Sequence, residues 1–528
     1  MSINISTSRN WNESGFLSSD KVVVLIEPLV SEDSHAGLFT TGNVLEPYAI
    51  ESLAASAEAH GYGTLVFQEP IEETSELVQR VLTANPLCVG LSVLTHTYER
   101  CCKLAGNLKT AAPDLPIVIG GQHPTLLPES VSNPCFDYAV LGEGEVTFCE
   151  LLDFFAGHGS DSPLDILGLA IRVTGQMLPI ITSSRPRIQN LDDLPQAKRF
   201  PKFLQRSKSY NLTYPSAAKQ TSVAQIGYSR GCRYNCTFCV SPLVWNFAHA
   251  TTDSNPVTYR SPTSIALELR RLRDEFGVNF VYFTDLTFND DRRRVHDLCH
   301  ALIDAGLHEG DESSSDHLSH SIHWFALLKV GLDSDTASLM ARAGCSKVGM
   351  GIESFDTAIV HSYKKPYRGL DVVQQSLSAT DNVGIINRCL LVLGAPEESP
   401  ESISHTIQCL KQLPVDQLRL AFLTPYPKTP VALKFADKMD TKFAYDLSYY
   451  DEDWPILRCN HFTADDLLVQ RNRIARKFYT SSEYKERVHK KLERYPWLHD
   501  AYAFFFDELR TSSAQLDLGS ILLKKEKL

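Results

Sequence analysis

Three cysteines stand close together in the segment GCRYNCTFCV, residues 231–240, directly after a predicted strand. Cys232, Cys236 and Cys239 have the spacing CxxxCxxC, and thiolates are the ligands that soft metals and iron–sulfur clusters prefer. Three thiolates on one loop can hold three irons of a cubane [4Fe–4S] cluster and leave the fourth iron open to a small molecule. A zinc site is the alternative, but a closed zinc site has four ligands, and no second cysteine module has matching spacing. The spacing therefore predicts an iron–sulfur cluster.

Alternating strands and helices precede the cysteine loop over residues 21–155. Apolar runs such as KVVVLIEPL, CVGLSVL and IVIGG predict strands, and the segments between them carry apolar residues at helical spacing. This alternation predicts a doubly wound, Rossmann-like parallel α/β domain. Such sheets bind ligands at the carboxyl ends of their strands, where the loops 95–97, 122–125 and 142–144 are expected to lie.

The alternation returns over residues 221–430 with about six strand–helix units, which predicts a partial (β/α)6 TIM-type barrel. The cysteine loop then follows the first strand of this barrel. Three further segments flank the two α/β domains. Residues 1–20 are expected to form a disordered tail, residues 156–220 a linker with some structure of its own, and residues 431–528 a mostly helical C-terminal domain.

The composition excludes several classes of protein. Among 528 residues there are 51 Lys and Arg against 63 Asp and Glu, which gives a net charge of −12. A chain this acidic is a poor candidate for nucleic-acid binding, which depends on positive charge. No apolar run reaches the ~18–20 residues that cross a bilayer, and the N-terminus lacks the apolar region of a secretory signal. We therefore expect a cytoplasmic protein without a membrane span.

Several motifs of the predicted barrel resemble the radical S-adenosylmethionine (SAM) superfamily. CRYNCTFC has an aromatic residue before the third cysteine, and FTDLTFND, MGIES, LVLGAPEES and FLTPYPKTPV follow it in the family's order. The resemblance implies a [4Fe–4S] cluster whose open iron binds SAM, with reductive cleavage to a 5′-deoxyadenosyl radical. It also implies contacts to SAM from Phe238, Asp285, Glu353, Ser354 and Gly394.

Each of these residues has a simpler alternative role. Asp285 is of the type favoured at turns and caps, Glu353 is suited to a buried ion pair, and Gly394 is suited to a tight turn. Phe238 is suited to an apolar core.

The N-terminal domain resembles the cobalamin-binding domain that precedes the barrel in cobalamin-dependent radical SAM enzymes. The matching segments are LEPYAIESLAASAEAHGY, VGLSVLTHTY, IVIGGQHPTLLPE and YAVLGEGEVTF. The resemblance implies contacts to cobalamin from Ser92, Thr95, Gly120, Gly121, Gln122, His123, Gly142 and Glu143. His123 can instead be a loop histidine bonded to backbone. The segment around His35, DSHAG, is one residue short of the DxHxxG motif whose histidine binds cobalt, so His35 is not expected to be a ligand.

The resemblance implies a C-methyltransferase that methylates an unactivated carbon of a small-molecule, natural-product intermediate. The methyl group would come from methylcobalamin, and the electron from an external flavodoxin- or ferredoxin-type donor. A cobalamin-dependent cyclase or ring-rearrangement enzyme is an alternative, and a non-catalytic corrinoid-binding protein is another. Methylthiotransferases that act on tRNA have three further cluster cysteines and a basic RNA-binding module, which this sequence lacks.

Two groups of residues are candidates for contacts with the substrate. Arg388 and Arg419 lie at the ends of predicted strands and are suited either to a substrate carboxylate or phosphate or to a structural salt bridge. The C-terminal segment also holds an aromatic group that is suited to a substrate pocket or to an aromatic core, namely Tyr445, Tyr449, Tyr450 and Trp454.

Overall fold

The computed structural model describes residues 21–29, 46–70, 74–207, 222–246, 256–307, 321–366, 369–499, 502–503 and 506. The predicted tail and His35 lie outside the described residues. None of the helices in the described part of the chain is long and apolar enough to span a bilayer.

The N-terminal sheet has seven strands in the order β2-β1-β3-β4-β5-β6-β7. The first five of these strands are parallel, and β6 and β7 are antiparallel to their neighbours. The strands β1 to β7 span Val22–Leu29, Gly63–Pro70, Cys88–Ser92, Ile117–Gly120, Tyr138–Val140, Leu169–Ile171 and Ile180–Ile181. The chain order reverses between β1 and β3, which is where such sheets bind ligands.

Helices cover both faces of this sheet, which explains why its strands are continuous apolar runs. The helices α1 to α5 span Tyr48–Ala59, Thr74–Thr83, Tyr98–Ala111, Gln122–Leu126 and Gly144–Phe155. One apolar core lies between the sheet and α2 and α3, and a second lies between the sheet and α1 and α5. The predicted doubly wound domain is therefore confirmed.

The segment predicted as a linker belongs partly to this sheet, because it contributes β6 and β7 to the edge beside β5. It then continues through α6, Pro201–Ser207, towards the second domain.

The second domain is a six-stranded parallel sheet in the order β15-β14-β13-β12-β11-β8. Its strands β8, β11, β12, β13, β14 and β15 span Val223–Ile226, Phe280–Phe283, His323–Leu328, Cys345–Glu353, Ile386–Leu393 and Gln417–Phe422. Between β8 and β11, the strands β9, Ser229–Gly231, and β10, Val257–Tyr259, form a short antiparallel ribbon. The six strands confirm the predicted partial barrel.

Helices cover the outer face of the barrel. The helices α7 to α14 span Ser241–Asn246, Pro262–Phe276, Arg292–Asp304, Ser334–Arg342, Thr357–Ser362, Leu370–Asp381, Pro400–Gln412 and Pro430–Lys434. Two C-terminal helices, α15, Ala464–Tyr479, and α16, Ser482–Arg494, extend this layer and share its apolar core.

A buried arginine joins the two domains through the segment between them. The Arg199 guanidinium donates to Glu46 Oε1 at 2.5 Å, to Glu268 Oε1 at 2.8 Å and to the Gln225 carbonyl oxygen at 2.8 Å. Glu46 precedes α1 of the N-terminal domain, whereas Glu268 lies on α8 of the barrel. These charged side chains are almost fully buried, so removal of Arg199 would leave Glu46 without its cation, which is costly, whereas Glu268 also pairs with Arg260.

Candidate functional site

The cysteine loop begins directly after β9, at the carboxyl end of the barrel strands. The thiols of Cys232, Cys236 and Cys239 are all partly accessible. The loop is fixed to its surroundings through Thr237, whose N–H donates to the Tyr363 carbonyl oxygen at 3.1 Å and whose hydroxyl donates to the Ser362 carbonyl oxygen at 3.0 Å. The three thiols therefore stand on a backbone that is held before any ligand binds.

The three thiols lie close enough to influence one another. Burial, opposed by the charge of Lys365 and supported by the neighbouring Cys239 and Cys232, raises the pKa of Cys236 to about 11. Burial also raises the pKa of Cys239. In the described part of the chain, no three His, Cys, Asp or Glu side chains converge on a single ion. A cubane cluster needs no such convergence, since each thiolate binds a different iron.

Glu353 ends strand β13 beside this loop in a strained conformation. Its φ of +64° lies in the left-handed region, and the pairing of β13 with β14 shifts register at this point. The carboxylate accepts a hydrogen bond from Lys365 Nζ at 2.8 Å. Strain of this kind persists where the surrounding structure holds it, often at functional sites.

Lys365 is a charged residue of the site that the sequence analysis did not identify. Burial favours its neutral form, but Glu353 and Cys236 outweigh burial and raise the pKa of Lys365. The ammonium group therefore stays charged beside both the carboxylate and the thiols. No sequence pattern singles it out, because it follows β13 by a dozen residues.

Asp285 is buried beneath the start of the cysteine loop. Its carboxylate accepts hydrogen bonds from the Tyr228 N–H at 3.1 Å and from the Ser229 hydroxyl. Burial raises the pKa of Asp285 to about 6. The structure thus shows Asp285 holding the backbone that leads to the cysteines, and its predicted contact with SAM stays a prediction.

The other predicted SAM contacts lie around the same end of the barrel. Ser354 is buried, and its hydroxyl accepts from the Asp356 N–H at 3.1 Å. Phe238 packs edge-on against the Tyr363 ring, with centroids 5.0 Å apart. Gly394 has a φ of +87°, a conformation that favours glycine. Each therefore has a structural role, and the contacts with SAM remain predictions.

The predicted cobalamin contacts gather at the carboxyl edge of the N-terminal sheet. Ser92 ends β3 and Thr95 lies in the turn after it. Gly120 ends β4, and Gly121 and Gln122 lead from β4 into α4. Gly121 has a φ of +97°, and a Cβ there would lie 3.2 Å from the Val93 carbonyl oxygen.

Gly142 follows β5 at the same edge. Its φ is +78°, and a Cβ there would have no neighbouring atom within 4 Å, so the backbone borders open space. Its N–H donates to the Thr125 hydroxyl at 3.0 Å, which ties this turn to α4.

His123 is buried below this edge. Its Nδ1 lies 3.3 Å from Thr95 Oγ1, and its ring stacks on Tyr98 with centroids 4.5 Å apart. Burial lowers the pKa of His123 to about 4, so the imidazole is neutral near pH 7. The structure shows a histidine packed within the domain, and its contact with cobalamin stays a prediction.

Glu143 faces the barrel. Its carboxylate accepts from Arg230 at 3.1 Å and from the Ile188 N–H at 2.9 Å, and Arg230 also binds Glu145 at 2.5 Å. Arg230 stands two residues before Cys232. This ion pair therefore places the cysteine loop next to the carboxyl end of β5, while the predicted contact of Glu143 with cobalamin remains untested.

The C-terminal segment contacts the N-terminal domain. A 3₁₀ turn, Leu447–Tyr449, packs on the turn Thr95–Thr97 of the N-terminal domain. Within the predicted aromatic group, Tyr450 and Trp454 pack around Phe443, whereas Tyr445 is 85% exposed. Most of the group is therefore a local aromatic core.

Comparisons with known proteins agree with this arrangement. The B12 binding domain matches residues 34–152, and the Radical SAM superfamily matches residues 226–410. A methyltransferase of Pyrococcus horikoshii described as uncharacterised is 27% identical over 422 residues, which are 78% of this chain and 82% of that protein. The anaerobic magnesium-protoporphyrin IX monomethyl ester cyclase of Cereibacter sphaeroides is 21% identical over 484 residues, 90% of this chain and 72% of that protein.

A solved structure shares the fold over nearly the whole chain. The radical S-adenosylmethionine methyltransferase TsrM from Kitasatospora setae, solved with cobalamin and a [4Fe-4S] cluster bound, superposes with a TM-score of 0.68 at 15% identity. The match covers 93% of this chain and 99% of that one. The two-domain fold is therefore shared.

The two family matches confirm the predicted cofactors, namely cobalamin, a [4Fe–4S] cluster and SAM. The residues present fit them. The donor set of Cys232, Cys236 and Cys239 consists of sulfur alone, which suits iron. The glycine edge at Gly121 and Gly142 has open space beside Gly142, where the backbone would allow close approach of a large planar ligand.

Proposed function

The chain belongs to the cobalamin-dependent radical SAM family, and we propose that it transfers a methyl group to an unactivated carbon of a small-molecule substrate. One observation carries this proposal. The ion pair between Arg230 and Glu143 joins the cysteine loop of the barrel to the glycine edge of the N-terminal sheet. Two cofactors bound at these edges would face one substrate between the domains, where ligand sites are common.

The bound cofactors supply the reactive chemistry: the cluster and SAM provide a radical that removes a hydrogen atom, and cobalamin provides the methyl group. The chain holds and shields them. Cys232, Cys236 and Cys239 would bind the cluster, and Lys365 would balance the negative charge of the thiolates. Glu353, which is held by Lys365, would bind the polar end of SAM.

Exclusion of water and oxygen is the second task of the chain. The C-terminal turn Leu447–Tyr449 lies over the N-terminal domain, and the Arg199 network fixes the angle between the two domains. A closed, rigid site favours orientation of the reacting atoms and protects a reactive intermediate from water. We also propose that a flavodoxin- or ferredoxin-type donor supplies the electron, and that the protein acts in the cytoplasm.

A comparison of cysteine variants tests the radical chemistry. Cys236→Ala should lower the formation of 5′-deoxyadenosine from SAM more than 100-fold under anaerobic reduction, because one iron loses its ligand. Cys102→Ala removes a partly accessible thiol of the N-terminal domain and should stay within twofold of the wild type. Full 5′-deoxyadenosine formation by Cys236→Ala would overturn the proposal.

A cyclase is the second candidate, favoured by the similarity to the Cereibacter sphaeroides cyclase over 90% of this chain. The two candidates differ in their products. A methyltransferase forms S-adenosylhomocysteine together with 5′-deoxyadenosine, whereas a cyclase forms 5′-deoxyadenosine without it. Measurement of both S-adenosylhomocysteine and 5′-deoxyadenosine during turnover of candidate substrates distinguishes the methyltransferase from the cyclase.

A further inference from the structure

The inner face of the barrel strands is partly accessible. Along β14 the outward residues Cys389 and Leu391 are fully buried under the helices, whereas the alternate residues Arg388, Leu390 and Val392 are only half-buried. On the neighbouring strand β15, Arg419 is likewise half-buried between the buried residues Leu418 and Leu420. We call the space inside the strands the lumen, and its partly accessible lining residues include Tyr282, Leu327, Arg388, Leu390 and Arg419.

Three basic side chains lie on this inner face of adjacent strands. Lys347 is on β13, Arg388 is on β14 and Arg419 is on β15. Arg388 pairs in register with Gly349, two residues beyond Lys347, and Arg419 pairs with Leu390, two residues beyond Arg388. Paired residues of parallel strands share a face, so the three basic side chains form a diagonal row that rises through the lumen.

Only one of these basic side chains has carboxylate partners among the described residues. Arg419 binds Asp453 at 3.0 Å and Glu452 at 3.8 Å. The backbone of Arg388 is paired within the sheet, but its guanidinium forms no hydrogen bond or ion pair with any residue that the structure describes. Its pKa is lowered to about 10 by burial and then by the charge of Arg419, so it stays charged near pH 7.

Lys347 is also without a hydrogen-bonding partner. It is 1% exposed, and no described residue accepts a hydrogen bond from its Nζ. The ammonium group lies 5.6 Å from the centre of the Phe325 ring. Asp416 lies beyond ion-pair distance, and its carboxylate already accepts from Lys491 Nζ at 2.6 Å and from Tyr502 OH at 2.5 Å.

Arg388 is a half-buried cation that Arg419 repels, and Lys347 is an almost fully buried amine whose pKa burial lowers well below its usual range. An anion bound beside Arg388 would supply the counter-charge that the described residues do not supply. We propose that the lumen binds an oxyanion group of the substrate, a carboxylate or a phosphate, through Arg388 with Lys347 beside it. The planar guanidinium offers the paired donors that either group accepts.

This inference rests on the proposed function and adds the chemical class of the substrate. Arg388 stands level with Gly349, four residues before Glu353 on β13. At about 3.3 Å per residue, the backbone of Arg388 lies roughly 13 Å below the backbone of Glu353 along the strands. A substrate anchored by its acidic end at Arg388 would therefore point its opposite end towards the cofactors.

Anion titration of the full-length holoenzyme tests the inference without knowledge of the substrate. Inorganic phosphate and acetate are titrated separately into the wild type by calorimetry at constant ionic strength. Arg388→Gln should weaken binding of the preferred anion at least tenfold, and Arg388→Lys should weaken it less because it keeps the charge. Arg293→Gln removes an arginine that is 90% exposed on α9 and should bind within twofold of the wild type.

A stability measurement separates anion binding from a structural role. Because Arg388 lacks a carboxylate partner, Arg388→Gln should unfold in anion-free buffer at the same temperature as the wild type or higher. Preference for phosphate would indicate a phosphorylated substrate, and preference for acetate a carboxylic acid. Anion binding that is as tight in Arg388→Gln as in the wild type would overturn the inference. Absence of anion binding by the wild type would overturn it as well. The proposed function is tested separately by SAM cleavage in the wild type.

Discussion

At the scale of residues, the pair of Glu353 and Lys365 shows how the site is assembled. The sequence motif MGIES identified Glu353, because a carboxylate at a strand end of a barrel lies at the functional face. Lys365 was not predictable, since its contact depends on the left-handed φ of Glu353 and on the turn after α11. Motifs thus predict candidate contacts with the cofactors, whereas the counter-charges of these residues require the fold.

Removal of the Lys365 charge should impair the cluster site. Lys365→Met leaves Glu353 and the thiolates without a nearby cation, so we expect iron content and 5′-deoxyadenosine formation to fall. A loss of about 1.4 kcal/mol would lower the rate about tenfold. Lys364→Met changes the adjacent exposed lysine and should match the wild type in both measurements. Equal iron content and equal rates in the two variants would show that the Lys365 charge is dispensable.

Asp285 should make the stability of the barrel depend on pH. Its folded pKa of about 6 lies above the usual range, so the native state holds this proton more tightly than the unfolded state. The resulting stability is present in acid, and it is lost as the pH rises towards and through about 6. Between pH 5 and 7 the loss from this group is about 1 kcal/mol.

Asp285→Asn removes this titration. Thermal unfolding at pH 5 and pH 7 should show a smaller decrease in Tm for Asp285→Asn than for the wild type. The same decrease in both proteins would show that Asp285 ionises in the folded barrel as easily as in the unfolded chain.

At the scale of elements, apolar periodicity was enough to predict both sheets. Strand β12, His323–Leu328, is an example, because buried parallel strands are short apolar runs bounded by polar residues. The segment after α5 was harder to predict. Strand β7, Ile180–Ile181, has two exposed residues, so its pairing depends on the edge of the sheet rather than on its own pattern.

The Arg199 network was also absent from the sequence analysis, since its members come from three distant segments. Arg199→Met should leave Glu46 buried without its cation, whereas Glu268 keeps Arg260, and should destabilise the protein by about 3–5 kcal/mol. The variant should show a clearly lower Tm and faster proteolysis between the domains.

Arg271→Met is the matched control for this variant. Arg271 pairs with Glu275 on the exposed side of α8, where ion pairs contribute about 1 kcal/mol or less. If Arg199→Met and Arg271→Met lowered the Tm equally, the buried network would not hold the domains together.

At the scale of the whole molecule, the fold brings the carboxyl edge of the N-terminal sheet next to the cysteine loop of the barrel. Sequence motifs identified each edge separately, and the order of the domains followed from the two periodic regions. How the edges face each other was not predictable, because it depends on the ion pair of Arg230 with Glu143 and on the C-terminal turn over Thr95–Thr97. Arg388 and Arg419 illustrate the same limit, since only the structure distinguishes the paired arginine from the unpaired one.

The metal content of the intact protein tests the central claim most directly. The protein is purified anaerobically from cells supplied with cobalamin, and iron and cobalt are measured by elemental analysis together with the absorption spectrum. The account predicts about four irons and about one cobalt per chain, with both cluster and corrinoid absorption. Four irons without cobalt or corrinoid absorption would contradict it, because the N-terminal domain would then serve another purpose.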